Sequence, residues 1–193
     1  MATEVSICSN ALRRLGDSPI TSLTEDSERA RLCNAFYEPS RDAVLRSHTW
    51  NFAITRASLA KLSDAPAFEY ANQFALPTDP FCLRVLKMEF EDYEFKIENL
   101  AGQGRVLLTD EGTANIISIA RITDPSLFDS MFVDVLTSKL TVDLAYPITN
   151  STTLQAQMQR IYERKLSEAR SLDSTEGSTD SLISNVFTDF RAP

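Results

Sequence analysis

The hydrophobic pattern of this chain changes period twice, and those two changes restrict its fold more than any other feature. Up to about residue 66 the apolar residues recur at helical spacing, between Ala67 and Thr123 they alternate, and from Asp124 the helical spacing returns. In "YEFKIENL", Tyr93, Phe95 and Ile97 alternate with Glu94, Lys96 and Glu98, the pattern of a strand with one buried face. "FCLRVLKMEF", "RVLLT" and "NIISIARIT" read as further strands, divided by the turn signals "ENLAGQG" and "DEGTAN". Strands confined to one central stretch predict an α+β chain, mainly α. Residues 1–66 and 124–172 would form an antiparallel helical bundle, 67–123 an inserted small antiparallel β-sheet lobe, and 173–193 a flexible C-terminal arm.

Within the helical parts, the caps are written locally. Thr3 is placed to cap a first helix with the stripe Val5, Cys8, Leu12 and Leu15, and Gly16 supplies a left-handed stop. After "GDSPITSLTEDS" a long helix is expected from Asp26 or Ser27, with Ala30, Cys33, Phe36 or Tyr37, Ser40 and Val44 on one side. Pro39 inside it deletes one backbone bond, which predicts a bend at residues 35–39 rather than an end. Asp124 with Pro125 reads as the start of a third helix, apolar on more than one face through Phe128, Met131, Phe132, Val135, Leu136, Leu140 and Leu144, and so the most buried. A last helix from about Ser151 to Leu172 has a narrow stripe of Leu154, Met158, Ile161, Lys165 or Leu166, Ala169 and Leu172, and belongs on the outside.

With 193 residues, 43% of them hydrophobic, the chain can fill one core without a covalent staple. Its three cysteines, Cys8, Cys33 and Cys82, have neither disulfide-framework nor zinc-knuckle spacing. The start lacks an apolar h-region behind a basic n-region, and no stretch approaches the roughly 18 apolar residues of a membrane span, which predicts a soluble protein without a signal peptide or membrane partner. The net charge of −8 opposes a surface built to hold DNA, because phosphate affinity comes mainly from Lys and Arg.

Candidate chemistry is sparse. "RDAVLRSHTWNFAITRA", residues 41–57, holds the only histidine and the only tryptophan. Pairing His48 with Cys33 as base and nucleophile would need fifteen residues of helix, about 22 Å of rise, to be bridged. Pairing with Asp42 or Asp64 and a serine lacks any nucleophile motif. Glu89, Glu91, Asp92, Glu94 and Glu98 offer paired carboxylates of the kind a glycan or peptidoglycan hydrolase uses, but acids alternating on an outer strand face are ordinarily just solvated. No metal-ligand or nucleotide-binding spacing occurs, so no cofactor is expected. His48, Trp50 and Phe52 read instead as a structural lock that ends the long helix and wedges an aromatic into the core. In the arm, Ile183, Val186, Phe187 and Phe190 fall at i, i+3, i+4 and i+7, the anchor spacing of a helix laid in a groove, with Arg191 beside them. Either a partner or the chain's own domain could cover them.

Three segments together resemble one family. "ICSNALRRLGDSPITSLTEDSERARLCNAFYEPSRDAVLRSHTWNFAITRASLA", "ALPTDPFCLRVL" and "ITDPSLFDSMFVDVLTSKLTVDLAYPIT" occur in the order found in the phage tail tubular protein A, or head-to-tail adaptor, family, and the likeness covers residues 4 to about 172. Thr49 stands where that family usually has proline between His48 and Trp50, and the arm matches only in length and character. The resemblance implies a virion protein of the tail neck, made in the bacterial cytoplasm and without catalytic duty. It would form a ring, commonly of twelve copies, between the portal protein and a tail nozzle similar to tail tubular protein B. The lobe would face the tail, and the arm, through Ile183, Val186, Phe187, Phe190 and Arg191, would reach the portal. DNA would pass without specific binding, since twelve copies carry a formal charge of about −96.

Overall fold

The computed structural model describes residues 2–175. Among the described residues four helices, α1 (Glu4–Arg14), α2 (Glu28–Ser47), α3 (Ser130–Thr149) and α4 (Thr152–Asp173), flank six strands along the sequence: β1 (Ile54–Ser58), β2 (Asn72–Ala75), β3 (Cys82–Met88), β4 (Lys96–Leu100), β5 (Gly104–Thr109) and β6 (Asn115–Ala120). The class is α+β, mainly α.

The helix starts obey local chemistry. The Thr3 hydroxyl accepts from the Ser6 amide while the Ser6 hydroxyl accepts from that of Thr3, a reciprocal cap, and Gly16 at φ +80° turns the chain after α1. Ser27 caps α2, which runs through Pro39 without ending. The third helix departs from its expected start. Asp124 and Pro125 make only a single 3-10 turn, Pro125–Leu127, and it is Asp129 whose carboxylate accepts from the amides of Met131 and Phe132. The cause is tertiary: Phe128 packs edge-on against Phe132 and tilts against Phe52, and the chain must turn there before the long helix can begin.

α3 is the central element, packed against α1, α2 and α4, with Phe132, Val135, Leu136, Leu140 and Leu144 fully buried. Asn150, in the left-handed region at φ +51°, closes the tight turn into α4. α4 lies on the outside: Ala169 alone is buried and Leu172 is half exposed.

The strands form two three-stranded antiparallel sheets rather than one, in the orders β1-β6-β3 and β2-β5-β4. The first sheet begins earlier than residue 67, because β1 at Ile54–Ser58 pairs with β6, Ile54 opposite Ile119. β6 separates two cores by the alternation of its side chains. Ile119, with Leu83 of β3, faces the helices, whereas Ile116, with Met88 and Cys82, faces Phe74 and Leu107 of the second sheet. The layers are therefore helices, first sheet, second sheet. Tyr93 and Phe95 lie ahead of β4, shorter than "YEFKIENL" predicts, yet both still pack on the second core.

Candidate functional site

The corner after α2 is where the sequence concentrates its singular residues. His48, in extended conformation, ends the helix, and Asn51–Ala53 makes a 3-10 turn that feeds directly into β1. Between them Trp50 enters the core with no exposed surface, and its indole Nε1 donates to the Val44 carbonyl at 2.9 Å. That carbonyl lies in the last turn of α2 and also accepts from the Ser47 hydroxyl at 2.8 Å, so the indole is a second donor that ties the aromatic to the end of the helix. The ring meets Phe132 edge-on at 5.2 Å and His48 edge-on at 5.0 Å, and Phe52 bridges Phe132 and Phe128. These edge-to-face contacts fix the angle between α2, α3 and the first sheet.

The sequence gives no signal for the second half of the corner. Asp173, the last residue of α4, accepts from His48 Nε2 at 3.0 Å and from the Asn51 amide at 3.1 Å, while Asn51 Nδ2 donates to the Asp173 carbonyl at 2.7 Å. One turn earlier Arg170 donates to the Ser47 carbonyl at 2.8 Å. Residues 125 positions apart are thus clasped, and Asp173 belongs to the body rather than to the arm expected from residue 173. Burial lowers the pKa of His48, outweighing the opposite pull of the Asp173 carboxylate, while Arg170 and Arg84 push the same way as burial.

The acid–base pairings considered from sequence are not assembled. Cys33 and His48 sit near opposite ends of the unbroken α2. Cys33 faces Cys8 instead, and that neighbouring thiol and burial push the Cys8 thiol up. Asp42 pairs with Arg41 and Arg121, and the carboxylate at His48 is Asp173. Among the described residues no serine, threonine or cysteine side chain is hydrogen-bonded to His48. Glu89, Glu91, Asp92, Glu94 and Glu98 are solvent-exposed, and among the described residues no three His, Cys, Asp or Glu side chains are grouped to hold a metal ion.

A second polar group ties the outer helix down. Asp134 of α3 accepts from both Arg14 of α1 and Lys165 of α4, and Arg14 also donates to Ser138 at 2.7 Å. Arg14, Ser138 and Lys165 line a groove of about 300 Å³ together with Thr141, Met158 and Ile161. Ile183, Val186, Phe187, Phe190 and Arg191 lie outside the described residues. Among the described residues no helix is long and apolar enough to cross a membrane. Comparison of the chain with known protein families and with curated proteins gives no match.

Proposed function

We propose that the chain is a head-to-tail adaptor subunit of a short-tailed phage. It forms a ring between portal and tail nozzle that retains packaged DNA and leaves a channel for its ejection. One observation supports the reading: two segments that each resemble the family pattern, "RDAVLRSHTWNFA" and "DPSLFDSMF", lie about 80 residues apart in sequence and meet ring to ring through Trp50 on Phe132 and Phe52 on Phe128. Residues that serve one packing cluster have a common physical reason to occur together, so the likeness concerns a structural unit and not scattered short words. The aromatic corner is filled with rings and hydrogen-bonded shut, as suits a part that transmits geometry.

The role asks for no reaction. It asks for a rigid helical body, an acidic surface past which DNA slides, and an adhesive segment, for which Ile183, Val186, Phe187 and Phe190 are the candidates. The test is electron microscopy of particles purified from the producing host, with the chain labelled by a specific antibody. The expected result is label at the neck, on a ring between head and tail. Particles that lack the protein, or glycan cleavage by the purified chain, would overturn the reading.

A further inference from the structure

An acidic chain has a local excess of cations at one end of its first sheet. Arg46, at the end of α2, donates to the Leu83 carbonyl, and Arg105 of β5 donates to that of Cys82. The guanidinium carbons of Arg105 and Arg121 lie 5.9 and 4.5 Å from the centre of the Phe81 ring. Arg84 of β3, next in sequence to the Leu83 whose carbonyl accepts from Arg46, has a buried Nε without a hydrogen-bond partner among the described residues. Asp42 meets Arg121 at 2.6 Å but is shared with Arg41. Among the described residues Arg46, Arg84 and Arg105 have no carboxylate in ion-pair range.

At the other end of the same sheet the sign reverses. Glu89, Glu91, Asp92 and Glu94 are exposed on the loop after β3, with Lys87 pairing Glu91 at 3.4 Å. Amid these acids Phe90 is 53% exposed and touches the edge of Tyr93. β6 measures the separation. Arg121 follows its last residue, whereas Asn115, its first, donates through its side chain to Glu89 at 2.7 Å. Six residues of strand span roughly 20 Å, too far for the two groups to neutralise one another within a chain.

We propose that copies of this chain join head to tail, the arginine cluster around Phe81 in one copy receiving the acidic loop and Phe90 of the next. An exposed phenylalanine ringed by carboxylates complements guanidinium groups already stacked on an aromatic, the aromatic anchoring the contact and the charges setting its register. Since the two surfaces differ and lie at opposite ends of one sheet, the contact is heterologous and repeats from copy to copy, closing into a ring where the rotation permits. The inference deepens the adaptor reading by naming the contact between neighbours, and rests on that reading only for ring closure.

Two charge reversals test it: Arg46→Glu with Arg84→Glu, and Glu91→Arg with Asp92→Arg. Sedimentation velocity at low salt and up to about 1 mM protein should show the wild type associating and salt dissolving the assemblies. Each reversed variant alone should associate about tenfold more weakly, and an equimolar mixture of the two should recover, because every contact in the mixture is again between opposite signs. Recovery also shows that both variants are folded. A wild type that stays monomeric, variants that associate normally, or a mixture that gains nothing would overturn the proposal. So would loss of duplex DNA binding in the arginine variant alone, which would make the patch a nucleic-acid face. Normal neck rings in particles built from either reversed chain would sink this interface while leaving the adaptor reading standing.

Discussion

Replacing Trp50 by alanine tests whether the aromatic corner organises the body. The indole is wholly buried and contacts His48, Phe52 and Phe132. A tryptophan of this kind removes roughly 150–250 Å² from water, worth about 4–6 kcal/mol at about 25 cal/mol per Å², of which alanine retains a small part. Loss of the Nε1 bond leaves the Val44 carbonyl with the Ser47 hydroxyl as its side-chain donor, a further cost of about 0.5–1.5 kcal/mol. Partial collapse of the cavity works against both, so the net loss is expected at about 3–5 kcal/mol, as for buried aromatics generally. For a chain of this length that corresponds to a fall in Tm of about 6–20 °C. Circular dichroism melts are the suitable assay, because Trp50 is the only tryptophan and its removal abolishes the tryptophan fluorescence signal. Trp50→Phe, which keeps a ring but not the donor, should fall between wild type and Trp50→Ala. A Trp50→Ala protein melting within about 2 °C of wild type would refute the reasoning, since no wholly buried ring of this size is removed so cheaply.

Four further outcomes are expected. Chains ending at Thr175 should melt like the full-length protein, whereas chains ending at Leu172 should melt lower, because they lack the Asp173 clasp on His48 and Asn51; equal melts would show the clasp to be idle. On the adaptor reading, ending the chain at Thr175, or changing Phe187→Ser with Phe190→Ser, should leave DNA-filled heads without tails; normal yields of infectious particles would place the portal contact on the body. Burial depresses the pKa of His48 below 6.5, so on acidification the unfolded chain takes up this proton first. Stability should therefore fall as pH drops through about 6.5 toward the lower folded-state value, and level off below it. Melts across this range should show that component reduced in His48→Gln; an unchanged slope would assign it elsewhere. Asp134→Asn should cost about 1 kcal/mol in urea denaturation, a modest loss because the carboxylate and its partners Arg14 and Lys165 are partly solvated.

What the sequence determined by itself was whatever depends on neighbours within a turn or two. Thr3, Ser27 and Ser151 cap helices because a short side-chain oxygen reaches an amide three residues on, and Gly16 ends α1 because it takes a positive φ at little cost. The short β-branched and apolar runs "RVLLT" and "NIISIA", divided by turn signals, read as strands for the same local reason, and the lone histidine and tryptophan marked the corner. Only the tertiary structure decided what depends on chain segments meeting from afar. Asp129 rather than Asp124 became the cap of α3 once Phe128 and Phe132 had to reach Phe52; six strands divided into two sheets, with β1 recruited by β6 across some 60 residues. Cys8 met Cys33, and Asp173 closed on His48. No periodicity or spacing encodes such pairs: a carboxylate at the end of a polar helix looks the same whether it faces water or a histidine. The choice is made in docking, when α4 brings the Asp173 carboxylate within hydrogen-bond reach of His48 Nε2 at the end of α2.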